Sequence, residues 1–408
     1  MATLPGRTNG RTNLPAHGET AIERFRRSRR SELAIWWREI DRSLLLLLLV
    51  LMATGTIAVA AASPASARRL STDSETLHNL HFFFIHIRWQ FLGLITLIFT
   101  SMMTKDLARR TAIILAAVML GMLFLVPVFG YEVNGARRWL NLGFGFQPSE
   151  FLKPGFAVAT AWMLSWRVRD PSLPVFPISG LFFMIIAALL MLQPNFGATM
   201  LFAGAWLVLV VISGVAVRAV FAVAGAVLAL VVAAYLFYDN ARHRIDSFFG
   251  GGTAFDQVDM AQRTLMNGGW GGTGFWLGSR KFSLPEAHTD YVFSVIGEEF
   301  GLIACAIILL LYLAILTRAT LRLVNEEDLF TVLAGGGLAA MFGGQAFINM
   351  LVNLQLFTCK GMTVPLVSYG GSSTIAVCFG MGLLLAITRR NPFLERAPLS
   401  LDDIGRKA

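Results

Sequence analysis

The sequence is short of charge and of cysteine, and both shortages narrow the class of protein. Of its 408 residues 14% are Asp, Glu, Lys or Arg and 55% are hydrophobic, whereas soluble domains carry about 25% charged residues. The mean hydropathy is +0.63. The three cysteines, Cys305, Cys359 and Cys378, lack the close spacing of a zinc site or a disulfide framework. The composition therefore places the chain in a lipid bilayer.

Other absences exclude further classes. The glycine-rich stretch 268–278 lacks the Gly-Lys-Ser/Thr ending of a P-loop, so we exclude nucleotide binding and expect no nucleic-acid partner. We interpret this stretch as a loop whose Trp and Phe side chains approach the membrane surface. Ser368 is not part of a Gly-x-Ser-x-Gly elbow, which argues against a hydrolase nucleophile.

Ten apolar runs predict an all-α integral membrane protein with about ten transmembrane helices. The runs lie at 43–62, 89–103, 111–129, 151–165, 177–193, 197–213, 216–238, 292–317, 329–350 and 371–388. The longest polar interval, residues 239–291, predicts a large extracytoplasmic loop between helices 7 and 8.

The distribution of positive charge predicts the topology. Residues 1–42 form a basic tail, which we expect to be cytoplasmic and disordered, and residues 389–408 form a second cytoplasmic tail around the membrane domain 43–388. Cations also occur on the predicted outward side, at Arg137, Arg138, Arg242, Arg244, Arg263, Arg280, Lys281 and Lys360. Such cations beside a cavity suit an anionic ligand such as a phosphate or diphosphate.

Glu286, His288 and Asp290 stand directly before an apolar run, where charge is costly and indicates function. If the segment is extended, their alternate spacing puts all three on one side. We interpret Asp290 as an acid/base carboxylate for a single-displacement glycosyl transfer. A divalent cation, Mg²⁺ or Mn²⁺, that bridges phosphate and Asp290 is an alternative, and we assign no protein metal site and no resident cofactor.

A second cluster of polar residues precedes the fourth apolar run. The adjacent Arg137 and Arg138 can grip phosphate oxygens, while Trp139 packs on a sugar or anchors at the membrane interface. Glu150 and Lys153 lie three residues apart and share a helix face, where ligand contact and a structural ion pair are both possible.

Two more segments interrupt the apolar runs. Gln193 and Pro194 separate two short runs, so their polar groups either line a cavity or close a plain helical hairpin. Lys360, Ser368 and Ser372 belong to a hydroxyl- and glycine-rich turn before the last run. Its backbone amides suit an anion at a helix start, with close helix packing as the alternative.

Four motifs in this order resemble the SEDS family of bacterial cell-wall proteins over residues 40–390. They are Asn-Gly-Ala-Arg-Arg-Trp, Gln-Pro-Ser-Glu-x-x-Lys, Pro-Glu-Ala-His-Thr-Asp and Lys-Gly-x-x-x-Pro-x-x-Ser-Tyr-Gly-Gly-Ser-Ser. Within the family the chain is most similar to the division members, since Gln193 precedes Pro194 and the N-terminal tail is long and basic.

The resemblance implies a peptidoglycan glycosyltransferase of the bacterial inner membrane, active at the division septum. Such an enzyme polymerises lipid II into β-1,4 glycan strands with inversion and releases undecaprenyl diphosphate. Asp290 matches the essential aspartate and would activate the acceptor 4-hydroxyl. The implied partners are lipid II, a class B penicillin-binding transpeptidase and other divisome proteins. Candidate contacts to diphosphate or sugar are Arg137, Arg138, Trp139, Glu150, Lys153, Gln193, Glu286, His288, Lys360, Ser368 and Ser372.

The chain departs from the family pattern at two positions. Asn195 replaces the usual Asp after Gln-Pro, so it cannot form a full ion pair with Lys153, and Thr358 replaces a proline near the last motif. Three other functions compete: a lipid II flippase, the elongation paralogue and a non-catalytic division scaffold. The candidate polar residues lie on the outward half of the protein, which favours a reaction on that side over transport across the membrane. A non-catalytic scaffold would give Asp290 no function.

Overall fold

The structure is a computed structural model of the chain. It describes residues 32–72, 76–133, 136–141, 143, 145–214, 257–357 and 361–390, with isolated positions between 225 and 246. The chain divides into two units, Asp41–Arg389 and the two termini, Met1–Ile40 with Arg390–Ala408. In the terminal unit residues 32–39 are helical. The helices and the candidate site described below all belong to the larger unit.

Ten α-helices and a small sheet make up the described part of the larger unit. In chain order the elements are α1 (Arg42–Leu70), α2 (His81–Ser101), α3 (Lys105–Phe129), β1 (Tyr131–Val133), β2 (Ala136–Asn141), β3 (Gly145–Phe146), α4 (Pro148–Arg169), α5 (Val175–Leu192), α6 (Phe196–Ile212), α7 (Gln257–Asn267), a 3-10 turn (Arg280–Phe282), α8 (Val292–Leu323), α9 (Leu329–Asn353) and α10 (Gly371–Ile387).

The prediction of an all-α multi-pass membrane protein is confirmed. Six helices, α1, α2, α3, α5, α8 and α9, are long and apolar enough to cross a membrane, and α6 and α10 are shorter apolar helices. The predicted seventh span, 216–238, lies largely outside the described residues. Of the predicted large loop, the described part from residue 257 onward contains α7 and the 3-10 turn.

Side-chain caps and ion pairs organise the end of the bundle where α1 and α9 begin. Asp41 caps α1 by accepting the Leu44 N–H at 3.1 Å. Its other carboxylate oxygen accepts from Arg318 at 2.8 Å and from Arg322 at 2.6 Å, both near the end of α8. Because one buried carboxylate binds two arginines of another helix, the start of α1 is fixed against the end of α8.

Small residues let the helices approach closely. A Cβ added at Gly382 of α10 would lie 2.8 Å from the Leu97 carbonyl oxygen of α2, and one at Gly155 of α4 would lie 3.0 Å from the Ala116 Cα of α3. In lipid, where apolar side chains gain little from burial, such contacts supply van der Waals attraction between helices.

A break in α8 lies at Gly301, after the first turns of the helix that follow the candidate site. Gly301 has φ +82° and ψ 175°, so the helix divides there. The glycine-rich loop, residues 268–278, lies against the break: Thr273 N–H donates to the Glu298 carbonyl at 2.9 Å, and Leu302 N–H donates to the Gly269 carbonyl at 2.9 Å. The loop thereby satisfies backbone groups that the break would leave exposed at membrane depth.

The segment between α3 and α4, where the sequence showed a cluster of polar residues, forms a three-stranded antiparallel sheet of order β1-β2-β3. Tyr131 of β1 pairs with Trp139 of β2. Burial alternates along β2, with Ala136, Arg138 and Leu140 buried and the residues between them more exposed. Since successive strand residues face opposite sides, the sheet decides which arginine reaches the site.

Candidate active site

The candidate active site lies at the end of the bundle where α4, α8 and α10 begin and α9 ends. The turn of residues 285–291, which carries Asp290, occupies its centre. Residues of β2, of the first turn of α4 and of the loop 361–370 lie within electrostatic or hydrogen-bonding reach of the Asp290 carboxyl. Three of the four sequence motifs therefore meet the fourth at one carboxylate.

Residues 285–291 form a compact turn and are not extended, so the condition that would place Glu286, His288 and Asp290 on one side is not met. Thr289 and Tyr291 N–H groups both donate to the Glu286 carbonyl, at 3.1 and 3.3 Å, and Glu286 has φ +52°. The turn directs these alternate side chains to different sides, whereas an extended strand would keep them on one side. Glu286 remains in electrostatic reach of Asp290, whereas His288 points toward α1 and α2.

His288 is buried among aromatic and hydroxyl groups. Its Nδ1 lies 2.8 Å from Ser66 Oγ of α1, and its ring lies 4.3 Å from that of Phe82 and 5.1 Å from that of Tyr369. Burial, with a smaller contribution from His86, lowers the pKa of His288 to about 4. The imidazole is therefore neutral at pH 7 and packs the turn against α1 and α2.

Asp290 is half-buried and lies among charges of both signs. Removal of water and the nearby Glu286 raise the pKa of the Asp290 carboxyl; Arg138 and the Gly361 N–H lower it, Glu150 raises it, and the result is about 7. A carboxylate with a pKa near the working pH can accept a proton and later release it. This is the property that a general base needs.

Arg137 and Arg138 do not act on the same side, because β2 sends them to opposite faces. Arg138 is 8% exposed, and its guanidinium donates to the Gln193 carbonyl at 3.2 Å and to the Pro194 carbonyl. Arg137 is exposed and lies 3.5 Å from Glu132. The interpretation that both arginines bind one phosphate is therefore wrong, and of the two only Arg138 lies in electrostatic reach of Asp290. Trp139 shares the Arg137 face, since alternate residues do.

Lys153 and Glu150 form a buried ion pair in the first turns of α4. Lys153 Nζ lies 2.7 Å from Glu150 Oε1 and 2.7 Å from Gln345 Oε1 of α9. Glu150 Oε2 is buried and has no hydrogen-bond partner among the described residues. The ion pair is thus present, and one acceptor oxygen remains for a ligand, so the two alternatives for these residues are compatible.

The hydroxyls of the last motif bind the protein's own backbone. Ser368 Oγ accepts the Val364 N–H at 2.8 Å, and Ser372 Oγ donates to the Gly145 carbonyl at 3.4 Å. Both serines are buried. They hold the loop 361–370 in shape and connect α10 to β3. Lys360 lies outside the described residues.

A family model, named FtsW/RodA/SpoVE and described as cell cycle protein, matches residues 41–392. The chain belongs to this family. The prediction from the four motifs is thereby confirmed, since SEDS and FtsW/RodA/SpoVE denote the same proteins.

Individual relatives of the FtsW/RodA/SpoVE family resemble the chain over most of its length. FtsW of Caulobacter vibrioides, described as a probable peptidoglycan glycosyltransferase, is 33% identical over 374 residues, 91% of this chain and 95% of that one. FtsW of Legionella pneumophila, described in the same words, is 32% identical over 335 residues, 76% of this chain and 82% of that one.

Solved structures share the fold. One chain of a peptidoglycan synthase complex, studied for the coordination of polymerisation and crosslinking, superposes with a TM-score of 0.69 at 29% identity and covers 86% of this chain and 97% of that one. The rod shape determining protein RodA of Thermus thermophilus superposes with a TM-score of 0.63 at 27% identity, with the same coverage.

This FtsW/RodA/SpoVE chain accommodates Asn195 as a helix cap. The Asn195 side chain accepts the Ala198 N–H at 3.4 Å at the start of α6. Gln193, two residues earlier, is buried and donates to the Leu123 carbonyl of α3 at 3.3 Å. The segment therefore closes a helical hairpin and at the same time presents a backbone carbonyl to a site residue. Thr358 lies outside the described residues.

Sequence reasoning missed three site residues of this family member, all on α9. Gln345 accepts from Lys153, and Asn349 and Asn353 donate to the Asp290 backbone carbonyl at 2.8 and 3.2 Å. The available signal was three carboxamides at intervals of four in an otherwise apolar helix, which places them on one face. Polar residues inside a span indicate function.

No group of three or more His, Cys, Asp or Glu side chains that could hold a metal ion occurs in the described part of the chain. Asp290, Glu286 and Glu150 are near one another electrostatically, yet Glu150 is already paired with Lys153.

Proposed function

We propose that this chain is a peptidoglycan glycosyltransferase that polymerises lipid II into β-1,4 glycan strands during septal wall synthesis and releases undecaprenyl diphosphate. Relatives named FtsW and described as peptidoglycan glycosyltransferases support the proposal. The observation that carries it is Asp290, a half-buried carboxylate with a pKa of about 7 at the meeting point of the family motifs.

In the proposed reaction Asp290 accepts the proton of the acceptor 4-hydroxyl as that oxygen attacks the anomeric carbon of the donor. The bond from that carbon to the diphosphate breaks, and the configuration inverts. Arg138 is the cation in electrostatic reach of Asp290, so its guanidinium can stabilise the charge that develops on the leaving diphosphate. Lys153 is neutralised by Glu150 and positions α4 against α9.

The partners follow from the relatives. A solved neighbour belongs to a peptidoglycan synthase complex that coordinates polymerisation with crosslinking, so a class B penicillin-binding transpeptidase is the partner proposed for this chain. The other divisome proteins and the septal location belong to the same proposal. The site faces the outside of the inner membrane, where the glycan is assembled, and both termini are cytoplasmic.

The test is polymerisation of lipid II by the purified chain with its transpeptidase partner, with and without Asp290→Asn. We expect the variant to lose at least a factor of about 100 in rate, because a general base contributes on the order of 10²–10⁴-fold. Asp106→Asn is the matched control, since Asp106 is an exposed aspartate at the start of α3, at the opposite end of the bundle.

Two results would count against the proposal. Equal strand formation by the Asp290→Asn protein would remove Asp290 from the mechanism. Transfer of lipid II across liposome membranes without polymerisation by either protein would favour the flippase. Addition of a chelator to the same assay measures whether a divalent cation at Asp290 takes part: loss of activity, restored by Mg²⁺ or Mn²⁺, would support it.

A further inference from the structure

Three buried carboxamides on α9 connect the segments that meet at the candidate active site. Gln345, Asn349 and Asn353 are 2%, 2% and 0% exposed and lie four residues apart, so they line one helix face. We call these three residues the amide ladder. Burial of a carboxamide is costly unless its donors and acceptor are all used, so their hydrogen bonds describe what the ladder holds.

Asn349 bridges the Asp290 turn and the loop 361–370. Its Nδ2 donates to the Asp290 carbonyl at 2.8 Å and to the Met362 carbonyl, and its Oδ1 accepts from Asn353 at 3.0 Å. Met362 directly follows Gly361, whose N–H donates to the Asp290 carboxyl. One carboxamide therefore sets the position of the catalytic carboxyl relative to the N–H that binds it.

Asn353 fixes the orientation of Asn349 and attaches the ladder to α8. Its Oδ1 accepts from the Ser294 N–H at 3.2 Å and from Ser294 Oγ at 2.7 Å, while its Nδ2 also donates to the Asp290 carbonyl at 3.2 Å. Since the acceptor oxygen of Asn353 is committed to Ser294, its amide nitrogen must face Asp290 and Asn349. The hydrogen bonds therefore allow only one orientation for the side-chain amides of Asn349 and Asn353.

Gln345 extends the ladder to α4. Its Oε1 accepts from Lys153 Nζ at 2.7 Å, and its Nε2 donates to the Thr363 carbonyl at 3.0 Å. The ladder thus binds the loop 361–370 at two points and connects it to both the ion pair of α4 and the Asp290 turn. Displacement of the loop would therefore break its hydrogen bonds to Asn349 and Gln345.

We propose that the amide ladder positions Asp290 for proton transfer and that Asn349 is the residue that keeps its carboxyl against the Gly361 N–H. The inference rests on the proposed glycosyltransferase function and deepens it. Asn349 does not bind the carboxyl itself, so it is a positioning residue that acts through two backbone segments.

The proposal has a consequence for pH dependence that a purely structural role would lack. The groups facing the Asp290 carboxyl are Glu286 of its own turn, Arg138 of β2, Glu150 of α4 and the Gly361 N–H. Loss of Asn349 leaves the three charges in place and releases the N–H. A hydrogen bond to the ionised form lowers a carboxyl pKa, so its loss raises the pKa of Asp290.

The experiment compares Asn349→Leu with the unaltered full chain in the lipid II polymerisation assay with the transpeptidase partner. We expect kcat to fall about 100-fold, the loss typical of misplacing a reacting group by about 1 Å, with KM for lipid II unchanged. The acid limb of the pH–rate profile should move to higher pH. Thr331→Val is the matched control, since Thr331 is a fully buried polar residue of the same helix, at the opposite end of the bundle, and its hydroxyl donates to the Asp328 carboxylate at 2.7 Å.

Wild-type kcat and an unmoved acid limb in Asn349→Leu, with Asp290→Asn inactive, would overturn the positioning role and leave the glycosyltransferase proposal standing. An equal shift of the acid limb in Thr331→Val would overturn it too, because loss of a buried polar group far from the site would then have the same effect. Activity of Asp290→Asn would instead remove the function on which the inference rests. Should Asn349→Leu not fold, Asn349→Ser retains one donor and is expected to give a smaller shift in the same direction; an unmoved limb there also contradicts the proposal.

Discussion

At the scale of the residue, the pKa of the Asp290 carboxyl depends on its burial and on the groups that surround it. Burial and Glu286 act to raise its pKa, while Arg138 and the Gly361 N–H act to lower it. Together with Glu150, which also acts to raise the pKa, these influences decide when the residue can serve as a base. Glu286 is exposed, so a substitution there would leave no cavity.

The initial rate of polymerisation should consequently fall as the pH drops through about 7, because the base must be ionised and its pKa is raised to about 7. Glu286→Gln removes the neighbouring negative charge, so the pKa of Asp290 should fall and the acid limb should move to lower pH. The measurement is kcat/KM against pH for both proteins. A limb that stays in place in Glu286→Gln would show that this carboxylate does not act on Asp290.

Residue types and spacing predicted which carboxylate matters, but not the sides on which neighbouring groups lie. Arg137 and Arg138 are adjacent and were expected to act together, yet a strand places them on opposite faces. The helical spacing of Glu150 and Lys153 placed them on one face and left an ion pair and ligand contact as alternatives, and the structure contains the ion pair. β2 pairs with β1 and β3, its neighbours in the chain, but strand propensity depends strongly on context, so the composition of this segment alone did not reveal the pairing.

At the scale of the element, the break in α8 and the glycine-rich loop form one unit. Gly272 has φ +83°, and a Cβ there would lie 2.2 Å from the Glu299 carbonyl oxygen. Beneath the loop, Lys281 forms a fully buried ion pair with Glu299, and Glu298 accepts the Arg280 and Lys281 N–H groups at 2.7 and 2.9 Å. The loop therefore holds the first turns of α8, which directly follow Asp290.

Gly272→Ala should destabilise the protein by about 1–3 kcal/mol, the cost of a strained left-handed residue, with the clash against Glu299 adding to it. Gly271→Ala is the adjacent control, because a Cβ at Gly271 meets nothing within 4 Å. Thermal unfolding of the detergent-solubilised proteins measures the difference. Equal melting temperatures for the two variants would mean that the loop is not packed on the break.

At the scale of the whole molecule, apolar runs predicted the membrane helices well because each span must satisfy its backbone internally. The additional elements were not predictable in this way. The attachment of the Asp290 turn to α9 and the docking of the glycine-rich loop depend on contacts between segments far apart in the chain, such as the hydrogen bond from the Trp276 indole to the Ala60 carbonyl at 3.0 Å.

The two ends of the bundle differ in chemistry, and this difference predicts their sides of the membrane. At one end, Arg318 and Arg322 form ion pairs with Asp41. At the same end, Lys105 lies 3.7 Å from the Glu326 carboxylate. The other end holds the candidate active site. Since short cytoplasmic loops are rich in Lys and Arg, the Asp41 end should be cytoplasmic.

Cysteine labelling tests this orientation, with Cys359 replaced by serine and the buried Cys305 and Cys378 retained. Ser283, exposed beside the site, and Ser172, exposed between α4 and α5 at the opposite end, are each changed to cysteine. A membrane-impermeant maleimide added to intact spheroplasts should label Ser283→Cys at once and Ser172→Cys only after permeabilisation. The reverse pattern would place Asp290 in the cytoplasm, on the wrong side for glycan assembly, and would contradict the proposed function.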